Sequence, residues 1–338
     1  AVLLVDESKK SENAESVLCD DDSSYRIIVI RNCIVKVGPM KKIYHMCPLY
    51  ESFIWGGRKI IDRYHLNTDL NNVGIMYHVI AIPGKLDCIV EETQEPLSVF
   101  YKNHKELFAC ASELFPVRMT TSCGENKMSY HLHPSDAYAL VHEGTRGKAS
   151  GAVAMEEADK VSERLFGNRA QTLDEFKKMV QEKDWDHLFQ KISVKQGDFL
   201  HTPAGVIHGG GGEGTMNMTF STNSDITYRF YDYDRNDPKR KLHLQQVYDC
   251  VNIPEVSLGT VHPEPKLIDG LQTVTYHDFP GEYTAMRLDV HGSGIFEKAE
   301  FYFLFCADGD GTIGDTEISE GKTVFVPADY GKVDMTGN

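Results

Sequence analysis

Gly197-Asp-Phe-Leu-His-Thr-Pro203-Ala-Gly205-Val-Ile-His208 reads as a strand, a tight turn made by the glycines and Pro203, and a histidine where the chain resumes. Upstream lies Ser129-Tyr-His131-Leu-His133-Pro134. Side chains alternate along a strand, so His131 and His133 share one face and both imidazoles can reach one metal ion. His208 can then supply a third nitrogen. A lone strand histidine is more often held by an ordinary hydrogen bond, but three at these spacings point to a metal centre on a β-barrel.

The 338 residues, 41% of them hydrophobic, are enough for two domains or one large β domain with insertions. A formal charge of −15, with no dense basic cluster, excludes a nucleic-acid footprint. A small anionic substrate would therefore need a local basic pocket. The eight cysteines are scattered, which suits reduced thiols in a cytoplasmic protein better than a disulfide scaffold. No apolar run approaches the roughly 20 residues of a membrane helix, and the first residues do not show a basic region followed by a hydrophobic stretch and cleavage site. The expectation is a soluble cytoplasmic protein with neither membrane nor nucleic-acid partners.

Residues 6–24 are polar and acidic, and Tyr25-Arg-Ile-Ile-Val-Ile-Arg31 is strand-like, so residues 1–39 are expected to be a partly disordered N-terminal extension. Leu97, Phe100, Leu107 and Phe108 predict a helix over 96–114 covering the barrel. Thr172-Leu-Asp-Glu175 is a capping box, and residues 155–192 as a whole read as a helical insertion. Gly321-Lys-Thr-Val-Phe-Val-Pro327-Ala repeats the spacing of Gly197 to Ala204 without its histidine. The economical architecture is mainly β, with two jelly-roll barrels and helical insertions: a metal-binding unit over 40–258 and a metal-free unit over 259–338.

These segments resemble double-barrel cupins, and within them the type I mannose-6-phosphate isomerases of the shorter bacterial kind. Phe53-Ile-Trp55-Gly56-Gly57 resembles the family's opening signature and Gly147-Lys148 its central Gly-Lys. Ser129 to Ala139 resembles its metal strand, and Asn223-Ser-Asp225-Ile-Thr-Tyr228-Arg229-Phe-Tyr-Asp232-Tyr-Asp234-Arg235 its late active-site strand, followed by Lys241-Leu-His243. The matches run in family order from about residue 45 to the C-terminus. Two departures stand out. The family's Thr-Glu after Gly-Lys, whose Glu is a zinc ligand, is Ala149-Ser150 here, and His131 stands where the family usually has Gln or Lys. The strand Met216-Asn-Met-Thr-Phe-Ser-Thr also lacks the family's Glu.

The resemblance implies interconversion of mannose 6-phosphate and fructose 6-phosphate through an enediol. It implies one Zn2+ per chain, or another divalent ion, held by His131, His133 and His208. Lys148 would orient a hydroxyl or transfer a proton, and Arg229 would grip phosphate or steady the enediolate. The bland readings are a solvated Lys148 and an Arg229 paired with Asp225 or Asp232. Asp136 and Glu143 are weaker candidates to approach the metal. His142, His187, His201 and His243 have no paired spacing and read as surface or core residues. The alternatives to the isomerase are a silent cupin binding metal or sugar for regulation, favoured by Ser150, and an iron oxygenase.

Overall fold

The computed structural model describes residues 42–155, 161–211, 213–255 and 259–337, and the backbone of the strands Ile27–Ile30 and Cys33–Lys36. The chain divides into two units, Ala1–Lys42 and Ile43–Asn338. In the first, Ile27–Ile30 pairs antiparallel with Cys33–Lys36, so the described part of the strand expected at 25–31, Ile27–Ile30, is a strand. The polar stretch at 6–24 lies outside the described residues.

The second unit is mainly β and cupin-like, with helices inserted between strands. The half that carries the three histidines holds two sheets. The larger runs Thr260–Val261, Phe199–Thr202, Ser150–Ala154, Met216–Thr222, Val117–Cys123, Ile75–Val79, Leu49–Glu51. The smaller runs Phe189–Lys195, Val161–Asn168, His208–Gly211, Tyr130–Leu132, Tyr228–Tyr231. Between them pack Ala154, Phe166, Val194, Leu200 and Val206, the apolar floor of the barrel.

The other half is built from the hairpin Leu271–Asp278 with Thr284–Asp289, from Gly292–Lys298 with Gly331–Gly337, and from Tyr302–Phe305 with Thr323–Val326. Strand Thr323–Val326 is buried throughout because its two faces feed different cores. Val324 and Val326 join Ile43, Leu271, Ile313 and Val333 inside this half, whereas Phe325 joins Phe108, Phe115 and Met119 at the seam with the larger sheet. Tyr44–Cys47 pairs with Thr323–Val326, and Thr260–Val261 pairs with Phe199–Thr202. The chain thus crosses the boundary expected near 258 from both sides. The two repeat segments contain the strands Phe199–Thr202 and Thr323–Val326, each of which follows a turn.

Two expectations need correction. The insertion at 155–192 is helical only at Leu173–Glu182 and Trp185–Leu188, because Val161–Asn168 is a strand between Phe189–Lys195 and His208–Gly211. That pairing satisfies its backbone, and Phe166 turns into the barrel floor. The helix at 96–114 is two short ones, Leu97–Asn103 and Lys105–Phe108, broken at His104, whose φ of −126° and ψ of 47° are not helical. All four of its apolar residues are buried as expected. The capping box forms, with Thr172 Oγ1 accepting from the Glu175 amide at 3.2 Å, but Glu175 returns its bond to Gln171 at 2.8 Å rather than to Thr172. The six described cysteines, Cys47, Cys88, Cys110, Cys123, Cys250 and Cys306, are all free thiols. Among the described residues no helix is long and apolar enough to cross a membrane.

Phe325 is fully buried and stacks on Phe108 with ring centroids 4.6 Å apart. Phe325→Ala is expected to cost about 3–5 kcal/mol in urea unfolding, and a loss under about 1 kcal/mol would show that the seam is not a packed core. His78 is also fully buried, bonded to Thr121 Oγ1 at 2.8 Å, and burial pushes its pKa down to about 3. Its folded pKa lies below the unfolded value, so the unfolded chain binds the extra proton in acid. The stability held above about pH 6.5 is then lost as pH falls towards 3. Replacing His78 by Gln should lower the slope of unfolding free energy against pH by up to about 1.4 kcal/mol per pH unit between about pH 4 and 6; an unchanged slope would contradict a neutral buried His78.

Candidate metal centre

Register assembles the site. His131 pairs across the ladder with His208 on one side and Arg229 on the other, so three strands of the smaller sheet present His208, His131 and Arg229 in one row. The alternate residues show which face this is. Tyr130, Leu132, Ile207, Tyr228 and Phe230 pack outward with Phe176, Leu188 and Val247 under the helices, leaving His131 and Arg229 for the barrel interior. His133 follows one residue past its strand, where Pro134 O accepts from the Lys148 amide at 2.9 Å. Gly147 makes that approach possible, since a Cβ there would lie 2.3 Å from Pro134 O. Gly209, with φ of +128°, lets the chain leave His208 against Ser129, whose carbonyl oxygen would be 2.2 Å from a Cβ.

The ligand atoms of His131, His133 and His208 all lie within 4.8 Å of one another. Each ring is turned by a bond from Nδ1 to a backbone carbonyl: His131 to Ser129 O at 2.8 Å, His133 to Ile226 O at 2.7 Å, His208 to Val206 O at 3.0 Å. Nδ1 therefore carries the proton and Nε2 keeps its lone pair, the tautomer that a metal requires. Burial, reinforced by His208, holds His131 well below the usual histidine range; burial and Lys148 do the same to His133. Burial also takes His208 down to about 4. The donor set thus fits a divalent ion of zinc's class: three neutral imidazoles converging from rigid strands, their outer nitrogens anchored.

Lys148 is 9% exposed, and burial followed by the nearby Arg118 guanidinium depresses its pKa well below the usual lysine value, against a pull from Asp225. The solvated reading is thereby excluded. Arg229 is half-buried, and among the described residues its guanidinium has no hydrogen-bond partner. The acids expected to pair with it are engaged elsewhere. Asp232 binds Arg235 and Arg240, both at 2.7 Å, while Asp225 binds Lys85 at 2.8 Å and Arg118 at 3.4 Å.

Asp136 and Glu143 do not join the histidines. Asp136 is bonded to Arg146 at 3.2 Å and to the Gly147 amide at 2.9 Å; Glu143 accepts from Tyr228 Oη at 2.7 Å. Ser150 does face the site. It pairs with Thr202 and Ser221, and Ser221 pairs with Arg118, so the larger sheet lays a row of three hydroxyls and a guanidinium opposite the histidine row. Arg118 was missed in the sequence. Its signal was parity, because Met119 two places from Val117 marks the apolar face and Arg118 falls between them.

No family model matches the chain. The mannose-6-phosphate isomerase of Streptococcus mutans is 32% identical over 257 residues, 74% of this chain and 80% of that one. The crystal structure of mannose 6-phosphate isomerase from Bacillus subtilis superposes with a TM-score of 0.81 at 24% identity, covering 88% of this chain and 97% of that one. A zinc-bound mannose 6-phosphate isomerase structure gives 0.67 at 11% identity over 88% and 97%. With a relative of that identity matched over most of both sequences, the chain belongs to the mannose-6-phosphate isomerase family.

Proposed function

We propose that this chain is a metal-dependent aldose-ketose isomerase acting on mannose 6-phosphate and fructose 6-phosphate. The observation that carries the reading is the pairing of the three-histidine group with two basic side chains that have no ion-pair partner among the described residues, Lys148 and Arg229, inside one barrel. His131, His133 and His208 would hold the ion, which when bound supplies Lewis-acid polarisation of sugar oxygens.

The rest is work for the chain's own side chains. Isomerisation removes a proton from the sugar carbon beside the carbonyl and returns one to the former carbonyl carbon, passing through an enediol. Lys148, whose pKa burial holds well below the usual lysine value, accepts that proton at Nζ and gives it back. Arg229 offers a fork of N–H donors to the phosphate or to the developing oxyanion, and an unpaired guanidinium sacrifices no internal ion pair to do so. Arg118 stays bonded to Ser224 O at 2.9 Å and sets the charge around Lys148 rather than binding substrate. Cytoplasmic residence is part of this reading, and the six described free thiols support it.

One observation favours a second reading. Ser150 replaces a carboxylate with a hydroxyl in the row facing the histidines, which suits a cupin that binds metal or sugar without turnover.

A coupled assay of fructose 6-phosphate formation, with metal content measured on the same samples, separates the two. Lys148→Met is expected to lower kcat by about 10²-fold or more with KM little changed. Arg229→Ala should lower kcat/KM by about 10- to 100-fold, the value of a charged hydrogen-bonding pair. Metal retained by a parent protein that shows no turnover would establish the silent cupin instead. Ser150→Glu is expected to raise metal affinity or rate, while His208→Ala should strip the ion; a His208→Ala protein with full metal content would remove the three-histidine site.

A further inference from the structure

Outside that barrel chamber, His201, His277 and Glu282 also bring their ligand atoms within 4.8 Å of one another. His201 was read as an isolated histidine because its neighbours here are remote in sequence, Glu282 being 81 residues away. Phe199 and His201 occupy the opposite face of their strand from Leu200, which lines the barrel floor, so this group is separate from the first. We propose that it is a second divalent-cation site, of the zinc class, tying strand Phe199–Thr202 to the hairpin Leu271–Asp278 with Thr284–Asp289.

Three features carry the assignment. His201 Nε2 lies 3.3 Å and His277 Nε2 3.0 Å from the same oxygen, Glu282 Oε2, with the two rings 4.5 Å apart. A tetrahedral ion with arms of about 2.0–2.1 Å has ligand-to-ligand edges of roughly 3.3 Å, so both edges that meet at Glu282 are already near that spacing. Next, His277 is aimed there by a bulge. The register of Leu271–Asp278 against its partner shifts between Thr275 and His277, so Tyr276 and His277 both turn inward although regular alternation would return His277 to the exposed side of Thr275. Finally, the turn bearing Glu282 is pinned, with the Glu282 amide bonded to Phe279 O at 3.1 Å and Arg146 donating to Gly281 O at 3.1 Å. Arg146 is the nearby cation, and Asp136 holds it at 3.2 Å.

Side-chain exposures of 31%, 12% and 22% for His201, His277 and Glu282 leave an open side for the ion to enter and for a water to fill the fourth position. Two neutral imidazoles and one carboxylate make a singly negative donor set, suited to a divalent cation. The ion's task would be structural, a clip across the seam between the two halves.

The test uses the full chain, stripped of metal, reloaded with Zn2+ or Co2+, and counted after gel filtration. About two ions per chain are expected for the parent and about one for His277→Ala and for Glu282→Gln, with isomerase kcat within about twofold of the parent. Added Zn2+ should also raise Tm less in these variants than in the parent. Glu282→Gln keeps an acceptor for both imidazoles and guards against a simple folding defect. If His208→Ala retains the parent's count while His277→Ala loses one ion, this site stands and the barrel site does not. Ion counts equal to the parent's in both His277→Ala and Glu282→Gln overturn the proposal.

Discussion

Everything in the barrel depends on the parity of one short, doubly buried strand. Tyr130 and Leu132 are clamped under helices Leu173–Glu182 and Leu244–Cys250 with Phe189, Phe230 and Val247, so His131 has no face left but the interior. A slip of one residue would bury His131 among apolar side chains and put Leu132 into the chamber. Arg229 is fixed by the same logic, between Tyr228 and Phe230. The outer apolar layer is thus the device that orients the polar one. The capped helix Leu173–Glu182, remote from the chemistry, matters because it seals that layer.

Placing so many basic groups together has an electrostatic consequence. The three imidazoles, Lys148, Arg118 and Arg229 share a buried space with Asp225 as the principal acid, within a protein whose net charge is −15. Burial and mutual repulsion both favour proton loss, and the groups with accessible pKa values yield first. The histidines become neutral and Lys148 becomes a weak base, while Arg118 and Arg229 stay charged because guanidinium does not titrate in this range. A chamber in which neutral nitrogen donors stand beside one fixed positive charge, Arg229, and face another, Arg118, follows from burial, without any special arrangement of acids.

The sequence made the barrel centre legible because its chemistry is local: a His-x-His pair, and a Gly-Pro turn ending on a histidine, each within one short segment. Family order extended this to Lys148 and Arg229. What it hid was set by pairing between distant strands. Arg118 gains meaning only from its register with Ser221, and His201 only from a hairpin that reaches it through a bulge. The strand Val161–Asn168 was hidden for a related reason, since its neighbouring helix carries the stronger periodic signal and its own pattern is resolved only by partners on both sides. Helix Leu97–Asn103 ends early because His104 leaves helical geometry, a break that apolar spacing alone does not encode.

Under the proposed function, exchanging the carboxylate that the family resemblance implies at Ser150 for an imidazole at His131 is a change in charge rather than in ligand count. Three neutral nitrogens leave a bound divalent ion with its full double charge, where two nitrogens and a carboxylate would leave one. In the isomerase reading this makes the chamber more positive by one unit while Arg229 and Arg118 remain. The facing row carries hydroxyls at Thr202, Ser150 and Ser221, which add no negative charge. Ser221 Oγ is buried without a hydrogen-bond partner among the described residues, an omission worth about 1–3 kcal/mol unless something in the chamber satisfies it. Ser221 pairs in register with Ser150, so this hydroxyl lies in the same row as the position where the family resemblance implies a carboxylate.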